Sequence, residues 1–146
     1  MKYFTGKMKQ ITLVISLLVV LMACKKEAPE VMLDETVTDT AAIKKSMGSF
    51  ESGPYGNTTG AVQIFKLADG KYQLQLSDFM VSNGPDLKVY LSKEIMPVNF
   101  INLGDLKSTN GNQLYEIPML TNLSEYKYAC IHCKAYNHLF GYALLK

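Results

Sequence analysis

The sequence contains no arginine and no tryptophan, and it has only three cysteines and two histidines among 146 residues. Without arginine, the chain lacks the side chain best suited to forked contacts with phosphate or carboxylate. Three of its 15 lysines, Lys2, Lys7 and Lys9, precede the first long apolar run. Without residues 1–23, 12 lysines face 13 acidic residues, a formal charge of −1. This balance excludes a broadly basic surface, so no nucleic-acid partner is expected.

The N-terminus has the features of a bacterial export signal. Residues 11–22 are uncharged and follow the three lysines. This run is shorter than the ~20 residues of a membrane-spanning helix and suits the core of a signal peptide. The string Leu21-Met22-Ala23-Cys24 resembles a lipobox, which implies cleavage before Cys24 and acylation of its sulfur and new amino group. The alternative is an ordinary secretory signal followed by an unrelated cysteine.

We therefore predict that residues 1–23 are a lipoprotein signal peptide and that Cys24 binds the protein to membrane lipid, with acyl chains such as palmitate. Two or three acyl chains hold a protein on a membrane stably. The expected location is the bacterial cell envelope, at the outer membrane or the outer face of the inner membrane.

Residues 24–45 are polar, with one proline, no aromatic residue and no regular hydrophobic period. This composition predicts a flexible tether that lifts the following domain off the membrane, with a short helical turn near residues 40–45. Residues 46–146 are long enough for one small domain.

The domain sequence is typical of β-structure. Asp69-Gly70 separates two β-prone runs at residues 60–67 and 71–77, which predicts a hairpin. Apolar and polar residues alternate at 72–76 and again at 87–92. Shorter runs at 113–118, 126–133 and 141–146, separated by turn residues, complete the pattern. The expected fold class is all-β, an antiparallel sandwich or barrel-like domain.

Four side chains with ligand or redox chemistry lie close together near the C-terminus: Cys130, His132, Cys133 and His138. Lys134 follows Cys133, so the Cys-x-x-Cys-His motif of covalent haem attachment is absent. On a regular strand, residues three apart lie ~10 Å apart and point to opposite faces. A Cys130–Cys133 disulfide would therefore need a bulge or a turn.

Several interpretations of this cluster stay open. The four side chains are suitable donors for zinc or copper, although their spacing matches no standard zinc motif. Alternatively, the cysteines are small buried residues and the histidines are ordinary sheet residues. Asp78 and Asp86 are weaker candidates for paired-acid chemistry, and turn closure is their more common role.

Two strings stand out in the domain, Gly-Pro-Asp-Leu-Lys-Val-Tyr-Leu-Ser at 84–92 and Phe-Gly-Tyr-Ala-Leu at 140–144. They resemble segments of the DM-thirteen family, an electron-transfer domain found in bacterial envelope proteins. The resemblance covers about residues 46–146. The matching stretches are 48–50, 59–62, 79–92, 103–118 and 131–144.

The resemblance implies a redox role centred on Cys133, either as a bare thiol or as a ligand to haem or a transition metal. His132 stands where the family often has tryptophan, Cys130 is additional and Tyr136 replaces phenylalanine. The first two departures add possible ligands, and His138 is a further candidate for cofactor binding. We expect a carrier with an envelope redox partner rather than an enzyme, with or without a cofactor. Two alternatives remain. One is a binding module that presents loops 82–86 and 109–113. The other is a metal-handling protein that uses Cys130, His132, Cys133 and His138.

Overall fold

The computed structural model describes residues 27–146, and these residues confirm the all-β prediction. The predicted signal peptide and Cys24 lie outside the described residues. Within residues 27–146, no helix has the length and apolar character needed to cross a membrane. The described strands are β1 (Leu33–Asp34), β2 (Ile43–Ser52), β3 (Thr58–Lys66), β4 (Tyr72–Val81), β5 (Leu87–Ser92), β6 (Phe100–Asp105), β7 (Asn110–Ile117), β8 (Tyr128–Cys133) and β9 (His138–Leu144), with one 3-10 turn at Leu123–Glu125.

The sequence pattern explains the central hairpin of β3 and β4. In β4, Leu74 and Leu76 are completely buried, while Gln73 and Gln75 are half-buried on the opposite face. Gly70 has φ +87° in the connecting turn, and its amide donates to the carbonyl of Leu67 at 3.0 Å. A left-handed φ strains residues other than glycine, so the Asp-Gly pair directs the chain back on itself here. The predicted hairpin is confirmed.

The strands form one curled sheet, a half-barrel, in the order β1-β7-β4-β3-β2-β9-β8-β5-β6. Strand β2 joins its two halves, because residues 43–49 pair with β3 and residues 50–52 pair with β9. The described strand pairs are antiparallel except β1 with β7. The main apolar core, which includes Phe79, Ile131 and Phe140, lies on the inner face between the two halves.

The segment 27–45 differs from the predicted flexible tether. Ala28 is 8% exposed and belongs to the core, β1 pairs with β7, and β2 starts at Ile43 in place of a helical turn. The amide of Val37 donates to Oε1 of Gln75 at 2.9 Å. Residues distant in sequence provide these partners, so local composition does not reveal them. The tether prediction is wrong for residues 27–45.

Antiparallel pairing places the connecting turns at two opposite ends of the sheet. We call one of them the entry end, because Glu27 lies there, bridged to Pro85. It includes the turns at 53–57, 82–86 and 134–137. The opposite, or distal, end carries the turns at 67–71, 93–99 and 118–127.

Candidate redox site at Cys133

Strand β8 positions both described cysteines, but on opposite faces of the sheet. Cys130 lies in the middle of the strand, opposite Tyr90 of β5 and Tyr142 of β9. Cys133 is the last residue of the strand, opposite Leu87 and His138. Both are free thiols and both are buried. This confirms that period-2 alternation separates the two sulfurs.

The Cys133 side chain lies in the inner core, where it is 1% exposed. Its Sγ donates a hydrogen bond to the carbonyl oxygen of Pro85 at 2.7 Å. A carbonyl oxygen can only accept a hydrogen bond, so this contact requires the protonated thiol. Cys133 is thus a free cysteine whose thiol is the donor in this contact.

The 82–86 turn covers this sulfur, and we call it the covering loop. Gly84 packs against the Phe140 ring so closely that an added Cβ would lie 2.6 Å from the ring atom Cζ. The Asn83 side chain donates to the carbonyl of Ala28 at 3.3 Å. The amide of Lys134 donates to the carbonyl of Asp86 at 3.1 Å. Backbone and side-chain contacts thus hold the loop over Cys133.

Cys130 occupies a separate cluster on the outer face, with Tyr90 and Leu139. Its Sγ donates a hydrogen bond to the carbonyl oxygen of Ile95 at 3.5 Å. Burial raises the pKa of the Cys130 thiol to about 12. The thiolate is the reactive form of cysteine, so this residue is chemically quiet at neutral pH.

His132 shares the outer face with Cys130. Its Nε2 lies 3.1 Å from Oδ1 of Asn137, and its ring centroid lies 5.4 Å from that of Tyr90. Its Nδ1 is buried and has no hydrogen-bond partner. Desolvation lowers the pKa of His132, which favours the neutral ring. The amide oxygen of Asn137 can only accept, which assigns the ring proton to Nε2.

His138 lies at the surface of the entry end. Its ring stacks on Tyr55 with centroids 3.6 Å apart and planes 3° apart. Tyr136 approaches the same ring at 5.9 Å. This histidine is thus part of an exposed aromatic group, with Tyr55 and Tyr136.

The four predicted ligands do not converge on one point. Cys130 and His132 lie on the outer face, Cys133 lies in the core, and His138 stacks at the entry end. Among residues 27–146, no group of three or more His, Cys, Asp or Glu side chains could hold a metal ion. Two surface cavities of about 440 and 470 Å³ are lined by residues other than these four. In this conformation the four side chains do not fit a shared metal ion or a haem, so the predicted four-residue metal site is not assembled.

The other predicted sites also have structural roles. Asp78 and Asp86 adopt left-handed φ values of 48° and 60°, which aspartate tolerates in turns. The Asp86 carboxylate pairs with Lys88 at 2.6 Å. Residues 109–113 do not form a presented loop, because β7 begins at Asn110 and Gln113 is completely buried. This removes one of the two loops of the predicted binding module.

Sequence reasoning did not identify Pro85 as the partner of the Cys133 thiol. The Gly-Pro-Asp string indicates a turn, but it does not show which residue the turn covers. That contact joins positions 48 residues apart and depends on how β5 pairs with β8.

Comparison with known proteins agrees with the resemblance found in the sequence. A family described as electron transfer DM13 matches residues 49–145, which include Cys130, His132, Cys133 and His138. No curated protein and no solved structure matches the chain. With its match over most of the chain, the protein belongs to the electron transfer DM13 family.

Proposed function

We propose that this protein is an electron-transfer lipoprotein of the bacterial cell envelope, anchored through Cys24, and that the Cys133 thiol carries the electrons. Family membership supports the electron-transfer role. The sequence at positions 11–24 supports the anchor. The hydrogen bond from Cys133 Sγ to the Pro85 carbonyl is the observation that carries the choice of Cys133.

Position distinguishes Cys133 from Cys130. Cys133 ends its strand, the next residue, Lys134, is exposed, and the Pro85 carbonyl of the covering loop contacts the sulfur. Cys130 lies in mid-strand beneath aromatic and aliphatic side chains. We expect displacement of the covering loop to open a route to Cys133 from the entry end, whereas a route to Cys130 requires part of the outer cluster to separate. An unpaired thiol in an oxidising compartment is also exposed to oxidation unless it is protected.

The proposed chemistry is thiol–disulfide exchange with envelope partners that carry dithiols. The Cys133 thiolate attacks a disulfide of the acceptor, which forms a mixed disulfide and releases one acceptor thiol that takes up the proton lost from Cys133. A donor thiolate then attacks the Cys133 sulfur and releases the second acceptor thiol. The second donor thiol displaces Cys133, which regains its proton. In sum, two electrons pass from the donor dithiol to the acceptor disulfide.

This exchange requires the Pro85 carbonyl to leave the sulfur. The contacts of Asn83 and Gly84 oppose that movement, so the rate of opening limits the rate of exchange. The covering loop would therefore protect the reduced thiol between encounters. The protein acts as a carrier and needs no substrate of its own.

Trapping of the mixed disulfide tests this proposal. Lipidated full-length protein is incubated with oxidised glutathione and analysed by intact mass and peptide mapping. We expect one glutathione on Cys133 in the wild type and in Cys130→Ser, and none in Cys133→Ser. Because lipidation leaves Cys24 without a free thiol, Cys24 does not react with glutathione in this experiment. Asn83→Ala, which loosens the covering loop, should speed adduct formation several-fold.

Two outcomes contradict the proposal. One is an adduct on Cys130 with Cys133 unmodified. The other is a haem or metal that copurifies with the wild type and is lost in Cys133→Ser, which would make the cysteine a ligand instead. The anchor is tested separately, because Cys24→Ser should abolish both the acyl mass increment and recovery in the membrane fraction.

A further inference from the structure

We infer that the domain sits directly on the membrane, with its entry end against the lipid headgroups. This inference rests on the proposed lipidation of Cys24. It replaces the expectation of a domain held away from the bilayer by a tether. Its evidence is the path of the chain from Glu27 onward, the residue count to the anchor, and the side chains exposed at this end.

The chain is held in place from Glu27. This residue bridges Pro85, and Ala28 packs into the core. The carbonyl of Pro29 then accepts hydrogen bonds from the amide of Thr109 and from Oγ of Ser108, both at 2.9 Å. These contacts fix residues 27–29 against the entry end of the domain.

The anchor lies only three residues before Glu27. A fully extended chain spans at most ~3.6 Å per residue, so the Cα atoms of Cys24 and Glu27 are at most about 11 Å apart. The acyl chains on Cys24 lie in the bilayer, so Glu27 must lie near the headgroups. The covering loop must also lie near the headgroups, because Pro85 is bridged to Glu27.

The exposed side chains of the entry end suit a membrane interface. Tyr55 and Tyr136 are 56% and 58% exposed, and Val31 and Met32 are 67% and 74% exposed. Tyrosine is favoured at the headgroup level, where its ring is buried and its hydroxyl stays hydrated. The exposed Lys134, together with Lys25 and Lys26 in the sequence, adds attraction for anionic lipid, against the exposed carboxylates of Glu27 and Glu30.

The distal end cannot take this role while Cys24 is the anchor. It also exposes apolar side chains, notably Met119 and Leu120. However, the ten residues of β4 separate the two ends by about 30 Å at the usual rise of a strand. Three residues of chain cannot span that length. The covering loop over Cys133 therefore faces the bilayer, and the redox partner must reach the thiol from that side.

Tryptophan fluorescence can test this orientation, because the sequence has no tryptophan of its own. Lipidated full-length Tyr55→Trp, Tyr136→Trp and Met119→Trp are each bound to vesicles of phosphatidylcholine and phosphatidylglycerol with brominated acyl chains. We expect several-fold stronger quenching at positions 55 and 136 than at position 119. Using two entry-end variants keeps the test valid if Tyr55→Trp disturbs the stack on His138.

Flotation of the same samples distinguishes the possible failures. Protein that lacks acyl mass and does not float with vesicles overturns the anchor and this inference together. Protein that floats but shows equal quenching at both ends, or none at either, overturns the orientation alone and leaves the entry end available to a protein partner. A flexible Gly-Ser insertion between Lys26 and Glu27 should preserve flotation and abolish the difference in quenching.

Discussion

Two thiols three residues apart on one strand have different surroundings. Cys133 lies in the core shared by both halves of the sheet, at the end of β8, under a loop that accepts its proton in a hydrogen bond. Cys130 lies on the outer face in a smaller cluster, and its Sγ donates to the carbonyl of Ile95 in the 93–99 turn. Burial alone therefore does not identify a functional cysteine. What differs is the face on which each sulfur lies and the element that contacts it.

The largest expected effect is a difference in unfolding free energy between substitutions on the inner and outer faces of the sheet. Ile131→Ala empties a fully buried position of the inner core and should cost about 3–4 kcal/mol of unfolding free energy. Leu139→Ala, on the outer face, should cost about 2 kcal/mol, because fewer elements surround it. Urea unfolding followed by circular dichroism measures both. Equal losses would mean that the outer cluster is packed as firmly as the core.

The next effect compares the hydrogen bonds of the two sulfurs. Cys133→Ala leaves the Pro85 carbonyl without its donor and should cost about 1–2 kcal/mol. Cys130→Ala should cost less, since the carbonyl that loses its donor belongs to Ile95, a 40% exposed residue that water can reach. In the same urea experiment, Cys133→Ser should recover part of the loss because a hydroxyl can donate to Pro85. No recovery by serine would contradict this assignment of the contact.

Thiol reactivity sharpens the comparison further. With its pKa raised to about 12, Cys130 is ionised in about one molecule in 10⁴ at pH 8. Lipidated Cys133→Ser should therefore react with a maleimide only after denaturation. Lipidated Cys130→Ser, which keeps Cys133, should react slowly in the folded state, and faster when Asn83→Ala is added. Rapid labelling of folded Cys133→Ser would show that the outer cluster opens readily.

The smallest effect belongs to His132 on the outer face. Its lowered pKa means that the unfolded chain takes up a proton near pH 6.5 while the folded chain does not. The stability present above pH 6.5 is therefore lost as the pH falls toward the lower pKa of the folded state. Urea midpoints between pH 7.5 and pH 5.5 should fall more for the wild type than for His132→Gln. Parallel curves would exclude a buried neutral imidazole.

Local patterns predicted part of this structure well. Alternation identified β4 and β5, Asp69-Gly70 identified a hairpin, and a period of two placed Cys130 and Cys133 on opposite faces. Strand β2 was missed because its residues are mostly polar and exposed and Phe50 is its only buried member. That strand owes its place to pairing on both sides, which no local signal encodes.

Dependence on partners far apart in the chain also explains why the predictions for residues 27–45 and for the four-residue metal site were wrong. Residues 27–45 are polar because they lie at the surface, but β7 and Gln75 satisfy their backbone groups. The four ligand candidates are close in sequence, yet the strand divides them between two faces and the surface turn. Proximity in sequence predicts convergence only where the backbone folds back at short range.

The sequence by itself determined the β-rich class, the family resemblance, the expected export and lipidation signal, and the separation of the two sulfurs. These follow from short-range properties, namely composition, residue period and contiguous motifs. Only the tertiary structure decided that Pro85 covers Cys133, that residues 27–45 join the sheet, and that Glu27 lies at the same end as the proposed redox thiol. The reason is that each of these depends on hydrogen bonds and packing between residues far apart in the chain, whose partners are set when the two halves of the sheet close over one core.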